Sequence, residues 1–263
     1  MNDIDIRKMG CAGRITLQRP NALNAMTYDM CTEIEQTLIA WRNDDAVNLV
    51  VIDALGDRAF CAGGDIAKLY DTGKAGDFEF GQTFWADEYR LNALIADYPK
   101  PYVALMQGFT MGGGVGISCH GSHRIVGESS QIAMPECGIG LVPDVGGSDI
   151  LARAPGHVGK YLALTTQRMG PGDAIYVGFA DSFIPQKYWG KVTQELESTG
   201  DIAILESHYQ KPPLGNLLSQ LEIINRFFNA LSLAKISTKL ANDESEFAKK
   251  TLKAMRRNSP LSM

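Results

Sequence analysis

Two predicted buried strands are each followed by a glycine-rich stretch: Ala59-Phe-Cys-Ala-Gly-Gly-Asp-Ile66 after residues 47–54, and Gly108-Phe-Thr-Met-Gly-Gly-Gly-Val-Gly116 after residues 102–106. Glycine lets a ligand approach the backbone closely, and a helix that starts after such a turn offers unpaired N–H groups. Each stretch can therefore present an amide to a developing oxyanion, and two such amides would form an oxyanion hole. Either stretch taken alone is explained equally well as a tight turn.

The sequence around these stretches alternates between strand and helix patterns. Apolar β-branched runs predict strands, and apolar residues at helical spacing predict helices. The predicted strands are 14–17, 47–54, 102–106, 124–126 and 131–133, and the predicted helices are 30–41 with Thr27 as its cap, 65–70, 78–97, 156–165, 172–177, 185–198 and 217–228. Strand–helix alternation followed by helices predicts an α/β fold with a C-terminal helical region.

The composition excludes several classes of protein. With 263 residues, 45% hydrophobic and 21% charged, the chain is neither disordered nor fibrous. A net charge of -5 without a long basic stripe argues against nucleic acid as a partner. No charged residue lies between Lys100 and Arg124, but six glycines there favour a strand, turn and helix over a membrane span. Five scattered cysteines without a C-x-x-C pair or a signal peptide predict reduced thiols and a cytoplasmic location.

Several familiar catalytic motifs are absent. A dinucleotide fingerprint would need glycine where Ile117 stands, and no P-loop pattern occurs, so nicotinamide and ATP sites are excluded. The G-x-S-x-G pattern around Ser118 fails because His120 replaces its last glycine, so Ser118 is predicted to be a helix residue. His120 is predicted to be a packing residue or a residue that supports the site residues, and not a general base. The group Cys119, His120 and His123 lacks metal-site spacing, so neither a metal nor a separate cofactor is expected.

Two carboxylates stand out in the segment Met134-Pro-Glu-Cys-Gly-Ile-Gly-Leu-Val-Pro-Asp-Val-Gly-Gly147, namely Glu136 and Asp144. The segment is otherwise apolar and rich in glycine and proline, and loss of water raises a carboxyl pKa toward values useful for general acid–base catalysis. Two carboxylates and an oxyanion hole would suffice for addition or hydrolysis at an acyl group. An acidic loop residue taken alone is more often solvated or a helix cap.

The two glycine-rich stretches resemble the signature segments of the crotonase, or enoyl-CoA hydratase/isomerase, superfamily, and the resemblance extends from Leu17 to Pro260. It implies a crotonase-like spiral of ββα units and an acyl-CoA thioester as substrate, with coenzyme A as part of that substrate. By analogy the amides of Gly64 and Gly113 would hold the thioester oxygen. The resemblance also implies substrate binding by three neighbouring residues, Ala62, Asp65 and Ile66.

Within the superfamily the similarity is closest to the 3-hydroxyisobutyryl-CoA hydrolase branch, the thioesterases of valine breakdown. This chain has the residues typical of that branch at four positions, Glu88, Gly113, Glu136 and Asp144. The resemblance implies that Glu136 activates water or attacks the carbonyl, that Asp144 orients a 3-hydroxyl or assists proton transfer, and that Glu88 binds substrate. Hydratases of the superfamily instead carry a first catalytic glutamate three residues after the oxyanion glycine, where this chain has Gly116.

The resemblance further implies an acyl-CoA-binding catalytic core at residues 1–198 and a C-terminal helical region at 199–263 that is shorter than in the family. Arg19 or Arg58 would hold the CoA diphosphate. Two other functions stay open: an enoyl-CoA hydratase or isomerase that uses Glu136 as its only glutamate, and a catalytically silent acyl-CoA-binding protein. No nucleic acid or membrane partner is expected, and a homo-oligomer of unspecified size is left open.

Overall fold

The computed structural model describes residues 2–263, which form two β-sheets surrounded by helices. The strands in chain order are β1 (Ile4–Met9), β2 (Ala12–Leu17), β3 (Leu49–Ala54), β4 (Ala59–Cys61), β5 (Tyr102–Met106), β6 (Phe109–Met111), β7 (His123–Val126), β8 (Gln131–Ala133) and β9 (Ser182–Phe183). The helices are α1 (Tyr28–Trp41), α2 (Ile66–Lys74), α3 (Phe78–Ala96), α4 (Gly113–Gly116), α5 (Gly147–Arg153), α6 (Val158–Thr165), α7 (Pro171–Val177), α8 (Trp189–Thr199), α9 (Leu217–Phe228), α10 (Leu233–Ala241) and α11 (Glu246–Met255).

The chain advances as a spiral in which successive strands join different sheets. The larger sheet has the order β1-β2-β3-β5-β7-β9, and the smaller one has the order β4-β6-β8. From β3 to β8 each turn of the spiral adds one strand to the larger sheet and the next strand to the smaller sheet, and then continues into a helix. All strand pairs are parallel except the β1–β2 hairpin. The expected α/β spiral of ββα units is thus confirmed.

The central strands β3 and β5 of the larger sheet are buried on both faces, which explains why they are almost entirely apolar. In β3, Val50 and Ile52 join the main hydrophobic core, whereas Leu49 and Val51 face a second, smaller core. Helix α8 covers that second face through residues such as Leu196. Side chains alternate between the two faces of a strand, so neighbouring residues of β3 lie in two separate cores.

All the predicted strands and helices are present, with shifts at some ends. Helix α2 continues to Lys74, and the helix predicted at 185–198 begins only at Trp189, after a short 3-10 turn at Gln186–Tyr188. Four strands were not predicted: β1, β4, β6 and β9. Three of these have only two or three residues and exist because neighbouring strands pair with them, so no local pattern indicates them. In the β1–β2 hairpin, Gly10 adopts a φ of 56° that suits glycine at a tight turn.

Within residues 2–263, every helix is too short or too polar to cross a lipid bilayer. The segment 101–123, between Lys100 and Arg124, contains β5, β6 and α4, so its interpretation as strand, turn and helix is confirmed. The C-terminal helices α9, α10 and α11 contribute Phe228, Leu240 and Met255 to the main core. A domain boundary at residue 198 stays a prediction.

Candidate active site

The three strands of the smaller sheet end at the same edge and deliver the central residues of the site. Gly64 follows β4, Gly113 follows β6, and Glu136 follows β8, each within three residues of the strand end. These strands are parallel neighbours, so their carboxyl ends lie side by side. The short strands that the sequence did not predict are therefore the elements that bring the two glycine-rich stretches together.

A cavity of about 60 Å³ lies at this edge. It is lined by both glycine-rich stretches, helix α3 and the loop 135–145, and its lining includes Gly64, Gly113, Glu88, Glu136, Asp144, Ala62 and Ile66. Seven of the eight residues predicted for the site therefore meet in one place. A cavity of this size has room for a few water molecules or a short acyl group.

The backbone amides of Gly64 and Gly113 are neighbours and are free to bind a ligand. A Cβ built on Gly113 would lie 3.2 Å from the nitrogen of Gly64. Neither N–H donates a hydrogen bond to any residue in the range 2–263. Gly113 is the first residue of α4, where helical N–H groups have no internal partner, and Gly112 before it has a φ of 49°. Two free and adjacent N–H groups have the arrangement of an oxyanion hole.

Glu88 is a residue of α3 and lies next to Gly113. Its side chain is buried, and its Oε1 has no hydrogen-bond partner among the residues described. A Cβ built on Gly113 would come within 2.5 Å of that oxygen, so glycine is needed for this close approach. Burial, with the charges of Asp144 and Glu136, raises the pKa of Glu88 from its ordinary 4.5 to about 8. Glu88 is therefore largely protonated at neutral pH.

Glu136 lies beside Gly112, the residue before the Gly113 that Glu88 contacts. Its Oε1 faces Gly112, where an added Cβ would lie only 2.7 Å away, and its Oε2 is buried without a partner in the described chain. Burial, together with the charge of Asp144, raises the pKa of Glu136 to about 8. A carboxyl group with this pKa, next to two free amides, can take up and release a proton near neutral pH.

Asp144 is half-buried at the cavity wall and is held by Tyr89 on α3. The Tyr89 hydroxyl donates a hydrogen bond of 2.6 Å to Oδ2 of Asp144. Burial raises the pKa of Asp144, and the bond from Tyr89 opposes that rise. Burial and the bond to Asp144 also raise the pKa of Tyr89, so its hydroxyl stays protonated and remains a donor. Sequence reasoning gave Tyr89 no role, although its position next to Glu88 was a signal.

A second residue that sequence reasoning missed is Asn92, one helical turn after Glu88. Its side chain is buried, and neither Oδ1 nor Nδ2 has a partner within residues 2–263. It packs against Gly116, where an added Cβ would lie 2.7 Å from Nδ2. The space beside Gly116, at the position where superfamily hydratases carry their first glutamate, is thus occupied by the amide of Asn92.

Ser118 and His120 lie in the turn that follows α4. The hydroxyl of Ser118 is buried and donates a hydrogen bond of 2.6 Å to the carbonyl oxygen of Gly114. Since Ser118 lies after the end of α4, its placement in a helix was wrong by two residues. Nε2 of His120 lies 2.6 Å from the carbonyl oxygen of Val145. Nowhere in the described part of the chain do three or more His, Cys, Asp or Glu side chains form a group suited to a metal ion.

Asp65 is the one predicted site residue outside this cavity. Its side chain caps α2 by accepting from the amide of Lys68, and it forms an ion pair with Arg19 at 3.1 Å. It lines a neighbouring cavity of about 270 Å³ that shares Leu69 and Phe84 with the first. Arg19 is engaged by Asp65 and by a backbone carbonyl, whereas Arg58 is exposed. The substrate-binding role of Asp65 and the diphosphate-binding roles of the two arginines stay predictions.

The ββα spiral and the paired free amides together define a crotonase-type protein. The chain belongs to the enoyl-CoA hydratase/isomerase family, whose model matches residues 12–263. It is 43% identical to a mitochondrial 3-hydroxyisobutyryl-CoA hydrolase from Xenopus tropicalis, over 98% of this chain and 70% of the relative.

Two solved structures match with a TM-score of 0.95. One is an enoyl-CoA hydratase from Rhodobacter sphaeroides, 56% identical, and the other is a carnitinyl-CoA dehydratase from Mycobacterium thermoresistibile, 40% identical. Each comparison covers 99% of this chain and 76% of the other chain. The names of these relatives all refer to a CoA thioester, but each names a different reaction.

Proposed function

We propose that this chain hydrolyses a short-chain hydroxyacyl-CoA thioester, with 3-hydroxyisobutyryl-CoA as the preferred substrate and 3-hydroxyisobutyrate and CoA as products. The observation that carries the proposal is a single cavity in which two free amides lie beside Glu136, while position 116, where superfamily hydratases carry a glutamate, is a glycine. The name of the Xenopus tropicalis relative supports the same reaction. As the resemblance implies, this step serves valine breakdown.

In the proposed mechanism the thioester oxygen accepts hydrogen bonds from the amides of Gly64 and Gly113. Glu136 removes a proton from water as the water oxygen bonds to the carbonyl carbon, and the carbonyl electrons move onto the oxygen held by the amides. When the carbonyl re-forms, the C–S bond breaks, and the leaving thiolate takes the proton from Glu136. Attack by Glu136 itself, followed by hydrolysis of the resulting anhydride, would use the same contacts.

The remaining residues of the cavity suit a hydroxylated acyl group. Glu88, protonated at neutral pH, can donate a hydrogen bond, and the carboxylate of Asp144 can accept one. The small volume of the cavity favours a short acyl chain. The neighbouring cavity, where Lys68 supplies a positive charge, offers room for part of the CoA.

The test is an assay of CoA release with a chromogenic thiol reagent, using 3-hydroxyisobutyryl-CoA and crotonyl-CoA side by side. We expect the wild type to release CoA from the hydroxyacyl thioester and the Glu136→Gln variant to lose about 100-fold or more of kcat. The matched control is Glu222→Gln, because Glu222 is exposed on α9. It should keep full activity.

Enoyl-CoA hydration is the second candidate, because a structure 56% identical to this chain bears the name enoyl-CoA hydratase. Loss of the conjugated absorbance of crotonyl-CoA without thiol release would establish it and overturn the hydrolase. CoA esters that bind in calorimetry with neither activity would indicate a silent binding protein. The cytoplasmic location and any homo-oligomer stay predictions; the Xenopus tropicalis relative is named as mitochondrial.

A further inference from the structure

The backbone directly after Asp144 is held in an unfavourable conformation. Val145 has a φ of 46°, in the left-handed region that β-branched residues avoid, and its side chain is buried. Such a conformation costs about 1–3 kcal/mol and persists only where its surroundings enforce it. Gly146 follows with a φ of 74°, so two consecutive residues turn the chain away from Asp144.

His120 supplies a side-chain contact to this turn, which is also closed by a backbone hydrogen bond of 2.7 Å from the Gly147 N–H to the Asp144 carbonyl. Its Nε2 lies 2.6 Å from the carbonyl oxygen of Val145. A carbonyl oxygen only accepts hydrogen bonds, so Nε2 carries the proton and donates it. The ring also covers Gly146, where an added Cβ would lie 2.6 Å from ring atoms. A single imidazole therefore contacts both left-handed residues.

We propose that His120 is a positioning residue that, together with Tyr89, aims the carboxylate of Asp144 at the reacting acyl group. His120 fixes the backbone after Asp144, and the Tyr89 hydroxyl fixes the carboxylate itself at 2.6 Å. The inference rests on the hydrolase function proposed above, in which Asp144 contacts the substrate.

The same histidine connects Asp144 to the oxyanion hole. His120 follows Gly113 closely in sequence, and the turns between them are fixed by backbone bonds such as the one from Ile117 N–H to the Gly113 carbonyl. The oxyanion amide of Gly113 and the Asp144 turn are thus attached to one short rigid segment. Displacement of a positioned group by about 1 Å can cost 100-fold in rate, so this attachment has catalytic value.

The test compares three replacements of His120 by kcat and KM for 3-hydroxyisobutyryl-CoA. His120→Ala removes the donor and should lower kcat by about 10-fold or more, with a smaller change in KM. His120→Gln places an amide N–H close to the position of Nε2 and should restore most of the loss, whereas the shorter His120→Asn should not. The control is His208→Ala, because His208 pairs with Glu195 away from the cavity.

A double-mutant cycle tests the route through Asp144. In an Asp144→Asn background, His120→Ala and Tyr89→Phe should each have little further effect on kcat. An equal effect of His120→Ala in both backgrounds would overturn the proposal, as would failure of glutamine to restore kcat above the level with asparagine.

Crystal structures provide a readout that does not depend on activity. In His120→Ala we expect Val145 to leave positive φ and the bond from Tyr89 to Asp144 to break, and in His120→Gln we expect both to persist. Unchanged geometry in the alanine variant would contradict the positioning role. A wild type that releases no CoA would refute the hydrolase function, while these structures would still decide whether His120 holds the turn.

Discussion

The amide of Asn92 lies against the α-carbon of Gly116, so that a Cβ added to this glycine would stand 2.7 Å from Nδ2. Asn92 is on α3, one turn after Glu88, and both side chains are buried with unpartnered polar atoms in the described chain. The contact leaves no room for a carboxylate side chain at position 116. A side chain at position 116 would have to displace the amide from the neighbouring helix.

The first prediction concerns replacement of this glycine. Gly116→Glu should lower the free energy of unfolding by about 1–3 kcal/mol, because it overpacks a closed region against Asn92. It should not gain hydration of crotonyl-CoA, since the new carboxylate cannot take the position that Asn92 holds. Thermal unfolding and the conjugated enoyl absorbance measure the two effects.

The matched variant is the double replacement Gly116→Glu with Asn92→Gly, which opens the space that the carboxylate needs. It should recover part of the lost stability relative to Gly116→Glu alone. Hydration by the single variant, at an unchanged melting temperature, would show that Asn92 does not block this position.

The second prediction concerns the oxyanion amide of Gly113. In Gly113→Ala the new methyl group would lie 2.5 Å from Oε1 of Glu88 and 3.2 Å from the Gly64 nitrogen, so both amides must shift. Loss of one oxyanion donor costs about 100-fold or more in kcat. Steady-state release of CoA measures the loss.

The control for this variant is Gly190→Ala, at a helical position of α8 with open space around the added Cβ. Here alanine should raise the free energy of unfolding by about 0.5–1 kcal/mol and leave kcat unchanged. Equal activity of the two variants would contradict the assignment of the Gly113 amide.

The third prediction concerns stability and pH. Burial raises the pKa of Glu88 and of Glu136 to about 8, whereas both ionise near 4.5 in the unfolded chain. Between these values the folded protein holds more protons than the unfolded one, so their contribution to stability falls as pH rises. The contribution is fully present below about pH 4.5 and is lost once the pH has passed about 8. Denaturant unfolding across this range should show the decline.

Glu88→Gln removes one of the two titrations and should flatten the decline. Glu222→Gln is the matched control, since an exposed glutamate should leave the slope unchanged. A slope that is identical in wild type and Glu88→Gln would contradict the burial of an ionisable group at this site.

The fourth prediction concerns activity and pH. Glu136 must be ionised to accept a proton from water or to attack, so kcat/KM should rise as the pH approaches about 8. Glu88 loses its donated proton in the same range, so the rise should end there. Glu88, Glu136 and Asp144 interact, and the apparent pKa therefore belongs to the group. In Asp144→Asn the loss of a nearby negative charge should move the rise to lower pH. A shift to higher pH would contradict this electrostatic coupling.

Much of this site was predictable from sequence because its chemistry lies in short contiguous motifs. The two glycine-rich stretches and the carboxylates Glu136 and Asp144 were recognisable by residue type and by resemblance, and long apolar strands such as β5 were recognisable by pattern. The strands β4 and β6 were not, because a three-residue strand is stabilised by partners far away in the sequence.

The supporting contacts were not predictable for the same reason. Tyr89 and Asp144, and likewise His120 and Val145, are distant in sequence and meet only once the spiral has formed. Asn92 carries no motif, and only the fold shows that it faces Gly116. Pairs of this kind depend on contacts between segments that are far apart in the sequence, and the local pattern does not indicate them.

The fifth prediction concerns the five cysteines, which matter because the assay of CoA release uses a thiol reagent. Burial raises the pKa of Cys31, Cys61 and Cys119 to about 12, and it also raises that of Cys137. Only Cys11 is partly accessible. Since the thiolate is the reactive form, the native protein at pH 8 should react rapidly with about one equivalent of a chromogenic disulfide, and with five after unfolding. Cys11→Ser should abolish the rapid phase. If another thiol of that variant still reacted rapidly, the core around the site would have to open in the native state.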